Sequence, residues 1–383
     1  MQKNNFGARI RNARIVGSTK EYLRSHDGDI LPTQIKDETE DAEINLRTDN
    51  GASTDSQRND PLSPQAILLQ LDSGDSLFLM LRQDGNHGWE FVSNRHRVSK
   101  AMLMVQPGMH LAVDPSSRYV AVGCSEGIFA VYALNSTEEL ERQHSRRQPL
   151  RYIESERYIY FHGVIHKMEF LYPSVDDDTH IILLVLLVSK GRTRMQLYEW
   201  ETGSDLRQIR AHNRRGHLLE KSRQMPLLLI PLTIKSRFLL VFEDSMAVCR
   251  DILQGSPQFT DSGVVPEPAT MIHHGSGAPL WTAWTRPFRL PYHTVKQDDI
   301  YLVREDGFVK YLEVQIEEDD IAGMDIGILD SNCGTALACL DYHPLDDNTG
   351  DMLVTGGDSC AGGTYVVSCF ISSFIALSLR TAN

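Results

Sequence analysis

The sequence predicts an all-β fold: a β-propeller of divergent blades, of the seven-bladed type and incomplete in this chain, with a disordered N-terminal insert. Three observations carry the prediction. Short β-prone segments separated by tight turns recur in about six units at a spacing of about 40–60 residues, the period of propeller blades. The middle segment of each unit is apolar at successive positions, as a strand covered on both faces must be. Helical periodicity is scarce along the whole chain.

Residues 1–24 hold one possible strand of an incomplete first blade, between Phe6 and Val16. Residues 25–64 are rich in Asp, Glu, Asn, Ser and Thr, with almost no aromatic residue. They are expected to be a disordered acidic and polar insert or linker; an acidic docking segment is the alternative. Residues 65–367 are assigned to the propeller. In its first unit, 66–71 and 76–81 are strands around the turn Asp72-Ser73-Gly74-Asp75, and 89–92 follows the turn Asp84-Gly85-Asn86.

The second unit is the clearest: PGMHLAVDPSSRYVAVGCSEGIFAVYAL, residues 107–134. Strand, Asp-Pro turn, strand, Gly turn and strand follow one another without a gap. Residues 136–147 are expected to form a short helix capped by Ser136 or Thr137. Looser copies of the plan occupy 167–200, 227–253, 281–314 and 335–367. The regular Gly-His and Trp-Asp signature of WD40 repeats is missing at this period, so the repeats are divergent. From 368 to 383 the sequence leaves the blade pattern. This end is expected to be an off-pattern tail, the mark of a fragment or a faulty gene model, with a short stand-alone paralogue as the rival reading.

The chain has 383 residues, a net charge of -13 and a pI near 5.5. Bulk acidity argues against a general nucleic-acid coat or an anionic-membrane binder, though not against a local basic patch. The six cysteines include no CxxC pair, and Met1–Lys20 has no apolar signal core. They read as reduced thiols of a cytosolic or nuclear protein. The longest apolar run, IILLVLLV at 181–188, is far short of the ~20 residues of a membrane helix. It is expected to be a buried strand, and no membrane partner is expected.

Tests for chemistry return near misses. GDSCAGGT, Gly357–Thr364, has the glycine spacing of a P-loop, but Gly363 stands where the phosphate-binding lysine belongs. The same stretch fails as a nucleophile elbow because Ala361 replaces the last glycine and no strand–turn–helix surrounds it. His273 and His274 are adjacent and would point to opposite faces of an extended segment. His162 and His166 sit in a strand-like sequence, and His212 and His217 in a basic loop. Hence no catalytic residue, metal ligand or cofactor is assigned. Two basic clusters stand out instead: Arg142, Arg146, Arg147 and Arg151, then Arg207, Arg210, Arg214, Arg215, Lys221 and Arg223. Both are expected on exposed loops between units, as contacts for an acidic protein partner or for phosphates, since guanidinium forks match phosphate oxygens. A merely solvated loop is the plain alternative.

The 107–134 segment resembles the first β-propeller of a family of large scaffold proteins. The family comprises the damage-specific DNA-binding protein large subunit, the large subunit of the cleavage-and-polyadenylation specificity factor, a related splicing-factor subunit and the methyl-methanesulfonate sensitivity protein. The resemblance rests on Asp114-Pro115, the strand 119–122, and Gly127 leading to Tyr132. LVREDGFVKYLEV, residues 302–314, is similar to the family's strand–Asp-Gly–strand element. The resemblance implies a non-enzymatic scaffold that binds other proteins of a multi-subunit nuclear assembly, in DNA-damage response and ubiquitin-ligase assembly or in mRNA processing. Direct nucleic-acid binding through the arginine loops is the alternative.

Overall fold

The apolar runs become the middle strands of antiparallel sheets, covered on both faces by neighbouring sheets. The computed structural model describes residues 7–17, 65–83, 89–173, 179–219, 225–234, 236–243, 245–254, 257–261, 280–285, 297–305, 309–317, 320–329, 337–344, 351–357, 363–370 and 374–379. The expected insert at 25–64, the His273-His274 pair, most of the 357–364 turn, Lys221 and Arg223 lie outside the described residues.

The first sheet contains β1 (Ile10–Gly17), β2 (Gln65–Leu71), β3 (Ser76–Gln83) and β4 (Trp89–His96) in sequential order. A short helix, α1 (Lys100–Leu103), leads to an eight-stranded sheet: β5 (His110–Val113), β6 (Tyr119–Gly123), β7 (Glu126–Leu134), β8 (Ile153–Leu171), β9 (His180–Ser189), β10 (Arg192–Glu201), β11 (Arg210–Ala211) and β12 (His217–Leu218), with the helix α2 (Thr137–Ser145) between β7 and β8. Three four-stranded sheets follow. They are β13 (Leu228–Pro231) to β16 (Gln258–Asp261) through β14 (Phe238–Val241) and β15 (Met246–Arg250); β17 (Trp281–Trp284) to β20 (Asp320–Leu329) through β18 (Gln297–Arg304) and β19 (Val309–Glu317); and β21 (Leu337–Pro344) to β24 (Phe374–Leu379) through β22 (Asp351–Gly357) and β23 (Gly363–Phe370).

The eight-stranded sheet is two units joined by one long strand. Residues 153–164 of β8 pair with β7, and residues 164–171 pair with β9. β8 is thus the fourth strand of one unit and the first strand of the next. The changeover is at Gly163, whose φ of +125 is open only to glycine; a Cβ there would lie 2.7 Å from the Val188 carbonyl oxygen. The first strands β1, β5, β8, β13, β17 and β21 neighbour one another in that order. This is the radial stacking of a β-propeller.

The core lies between sheets rather than within any one of them. Val120, Val122, Ala130 and Tyr132 face Leu68 and Phe78 of the preceding unit. Their strand neighbours Tyr119, Ala121, Phe129 and Val131 face Phe170, Leu183, Val185 and Trp200 of the following one. The alternation of strand side chains therefore feeds two interfaces from one strand. The same holds for β9: Leu183 and Val185 face backward, and Leu184 and Leu186 face Phe238 and Leu240. Each buried Val, Leu or Phe side chain among these contributes roughly 1.5–3 kcal/mol. No helix among the described residues is long and apolar enough to cross a membrane.

The blades, expected to be three- or four-stranded, carry a fourth strand; β16 and β11 lie in stretches whose residues are mostly exposed and carry no apolar alternation. Residues 374–379, placed in the off-pattern tail, form β24 antiparallel to β23. The expected helix is α2, and Ser136 caps it by accepting the Glu139 backbone N–H at 3.3 Å.

All first strands run in one direction, so the sheet connections fall on two faces. One face, called here the link face, carries the unit-to-unit links and the turns between second and third strands. The opposite face carries the first-to-second and third-to-fourth connections. His110 starts β5 at the link face. Burial, then the Lys167 ammonium, lowers its imidazole from 6.5 to about 4. The unfolded chain takes up this proton near 6.5 and the folded chain only near 4. Stability is therefore complete above pH 6.5 and declines as pH falls through that window, by up to about 3 kcal/mol. Urea midpoints measured across the window should fall with pH in the parent and flatten in His110→Gln; an unchanged slope in the variant would clear His110.

Candidate binding surface

The first arginine cluster grows out of α2. Its acidic residues Glu138 and Glu139 occupy the first turn, and Arg142 and His144 the last. This order suits the helix dipole, so the charge pattern already stabilises the helix before any partner is considered. Arg142 pairs with Glu139 at 2.5 Å. Arg146 closes the helix, and Arg147 takes a positive φ of 54 to turn the chain.

The turn is pinned from below. Buried Gln143 accepts the Arg151 backbone N–H at 2.8 Å, Asn135 Nδ2 donates to the Arg151 carbonyl at 2.8 Å, and Asn94 of the preceding unit donates to the Leu150 carbonyl. The backbone is fixed while Arg142, Arg146, Arg147 and Arg151 stay exposed.

The second cluster follows β10. Leu206 and Ile209 anchor its start in the inter-sheet core. Asp205 accepts the Arg207 backbone N–H at 2.8 Å, and the Arg157 guanidinium of β8 donates to the carbonyls of Leu206 and Ile209. Beyond Arg210, Glu199 holds His212 at 2.9 Å and His180 at 3.3 Å. Gln196 donates to the Asn213 carbonyl at 2.6 Å and Arg194 to the Arg215 carbonyl at 2.8 Å. Arg207, Arg210, Arg214 and Arg215 are exposed.

Arg142–Arg151 and Arg207–Arg210 each follow the third strand of their unit, so both segments leave on the face opposite the links, in adjacent units, whereas Arg214 and Arg215 lie farther along, between β11 and β12. The Tyr119 hydroxyl accepts the Gly203 N–H at 3.0 Å and ties the two units together at that face. Sequence reasoning expected both clusters on exposed loops between units, and the residues described in each are exposed. It missed the buried supports Gln143, Arg157, Gln196 and Glu199; no local spacing marks a polar residue that anchors a loop from a neighbouring strand.

The other singled-out histidines are kept apart. His162 is exposed in the outer half of β8, while His166, past the Gly163 changeover, lies 2.6 Å from the Pro226 carbonyl oxygen. Among the described residues no group of three or more His, Cys, Asp or Glu side chains is placed to hold a metal ion. Cys124 is buried, and burial pushes its thiol up to about 12, so it is no thiolate nucleophile at neutral pH.

Stacked antiparallel sheets and their order point to a propeller, and comparison with known families decides which one. Residues 1–371 match the model of the RSE1/DDB1/CPSF1 first β-propeller. The chain belongs to this family. A search of curated proteins finds no match to it. Within the RSE1/DDB1/CPSF1 family the first β-propeller is a protein-interaction scaffold of multi-subunit complexes. The family model spans the 107–134 unit and the 302–314 element on which the resemblance rests.

Proposed function

We propose that this chain is a non-enzymatic scaffold that docks other proteins of a multi-subunit nuclear assembly. Its sheets are read as six blades, with the eight-stranded sheet counting as two. The single observation that carries the docking reading is the convergence of Arg142, Arg146, Arg147, Arg151, Arg207 and Arg210 on one face, over a backbone held by buried polar anchors. Rigid presentation lowers the ordering cost of binding. The chain as a whole carries a net charge of -13, so the arginine face stands out as a local gathering of positive charge. An acidic surface of a protein partner fits it.

The test is recovery from nuclear extract with Arg146→Glu/Arg147→Glu/Arg210→Glu as the comparison. Subunits of a cullin ligase, of polyadenylation or of splicing machinery should be recovered by the parent chain and lost by the variant; equal recovery would refute the role of this face. Which of these is found assigns the branch, whether DNA-damage response and ubiquitin-ligase assembly or mRNA processing.

A second reading, direct nucleic-acid binding, is favoured by the exposure of the guanidinium groups. Bound phosphates release counterions, so affinity should fall by about 10³ or more between low and moderate salt if six or more are contacted. Binding that stays flat with salt, or no binding in a gel shift, rejects it.

A further inference from the structure

Most of the exposed large apolar side chains among the described residues lie on the link face; Ile15 and Phe91 lie toward the opposite ends of their strands. Every exposed methionine and leucine among the described residues lies at or near this end: Leu103, Met104, Met109, Leu218, Met225 and Leu280. Met104 is 85% exposed. Singly scattered apolar residues are ordinary on a protein surface, whereas a cluster marks a contact site.

Backbone hydrogen bonds tie part of the cluster together across the first three units. Leu103 and Met104 end α1 in the link from the first unit to the second. Ser125, in the second unit, donates its N–H to the Val105 and Gln106 carbonyls at 3.3 Å, and its own carbonyl accepts the Ile165 N–H at 3.1 Å. Ser125 thus joins the Val105–Gln106 segment to Ile165, the neighbour of exposed Val164, and Tyr160, 72% exposed, lies four residues before Val164 on β8. Methionine is unbranched and polarizable, and it adapts to varied apolar surfaces; this is why it recurs at docking sites.

In the first three units the exposed charge at this end is mostly basic: Arg9, Arg11, Lys100, Lys190 and Arg192 stand against Asp72 and Glu126, while Glu243 and Glu305 occupy the same end of the next two units. Asp72 is already engaged by the Arg9 backbone N–H at 3.0 Å. Arg11 Nη1 lies 3.1 Å from Met109 Sδ, so a cation borders the apolar patch directly. Lys190 follows Ser189, which packs against Gly163 next to Val164.

We propose that the link face is a second docking surface, for a segment of a partner protein that combines apolar side chains with flanking aspartates or glutamates. Apolar groups of the segment cover Leu103, Met104 and Val164, and its carboxylates meet Arg11, Lys100 and Lys190. The site is separate from the arginine face on the opposite side, so one rigid body would hold two different partners at once. Charge complementarity selects the partner: a basic segment meets like charge here, and the net charge of -13 weighs against an anionic membrane.

The test uses the full chain and a short synthetic peptide of alternating Leu/Phe and Asp/Glu, labelled for fluorescence anisotropy, beside a twin with Lys in place of the acids. The acidic peptide should bind and the basic twin should not. Leu103→Ser/Met104→Ser/Val164→Ser should weaken binding by about tenfold or more, and Arg11→Glu/Lys100→Glu comparably. Arg146→Glu/Arg147→Glu, on the other face, should leave it unchanged, so failure of the arginine reading does not mask failure of this one. All substituted positions are exposed, and an unchanged melting temperature verifies the fold. The proposal is overturned if neither peptide binds, if the basic twin binds equally, or if the Ser variant binds as the parent does. It is also overturned if that variant instead abolishes self-association in light scattering or binding to phosphatidylserine vesicles.

Discussion

Asp298→Ala is expected to lower the free energy of unfolding by about 3 kcal/mol, because two buried donors would lose their acceptor at once. Asp298 sits in β18 with 1% of its surface exposed. Its carboxylate accepts the Thr233 backbone N–H at 2.7 Å and the Thr233 hydroxyl. Thr233 belongs to the preceding unit, between β13 and β14, so the pair joins two sheets that also share an apolar cluster and the ion pairs of Asp320 with Arg237 and Arg250. Asp298→Asn keeps one acceptor oxygen for the Thr233 N–H and should cost only about 1 kcal/mol. Guanidinium unfolding of the three proteins measures both values. A loss under 1 kcal/mol in the alanine variant, or equal losses in the two variants, would show that the inter-sheet bond is dispensable. Next to it, Asp299 accepts the Tyr311 hydroxyl and Gln297 Nε2, and burial together with the Asp299 carboxylate raises the Tyr311 phenol far above its ordinary range. Asp299, Tyr311 and Gln297 are thus paired with one another inside the β17–β20 sheet, beside the inter-sheet Asp298–Thr233 pair.

Gly163→Ala should be nearly as damaging, at about 2–4 kcal/mol. Two costs combine. The φ of +125 is closed to alanine, and its Cβ would meet the Val188 carbonyl oxygen at 2.7 Å, where neither the β8 nor the β9 backbone has freedom to move. Gly127→Ala separates the two. Gly127 also has a positive φ, +76, but a Cβ there would find nothing within 4 Å. It should cost only the conformational part, about 1 kcal/mol. If the two variants are equally stable, the changeover in β8 is not under steric constraint, and the long shared strand is not what aligns the second and third units.

These two residues also show how far the sequence could be read. The middle strands were legible because each is apolar at successive positions: IILLVLLV is β9, and LAV and YVAV are β5 and β6. Aromatic third strands were legible for the same reason. The outer strands were not, since β16 and β11 lie at the rim and their exposed residues follow no pattern. Asp298 reads in sequence as a charge before a strand. Only the arrival of Thr233 from 65 residues away makes it an inter-sheet anchor. Gly163 reads as an ordinary strand glycine, and its changeover role depends on which two partners β8 has. The arginine clusters were legible as composition, but their shared face was not. Their placement follows from strand direction across two units, and no local spacing encodes it.

The amino-acid order alone decides that this chain is all-β, that its units repeat, and that each middle strand must be covered on both sides, because burial pattern and turn chemistry are local properties of the chain. The meeting of the Arg142–Arg151 and Arg207–Arg210 segments at one face, and of Leu103, Met104 and Val164 at the other, was decided by the tertiary structure. Parallel first strands send every second connection to the same side of the disc, so residues far apart in sequence meet there while near neighbours are sent to opposite faces.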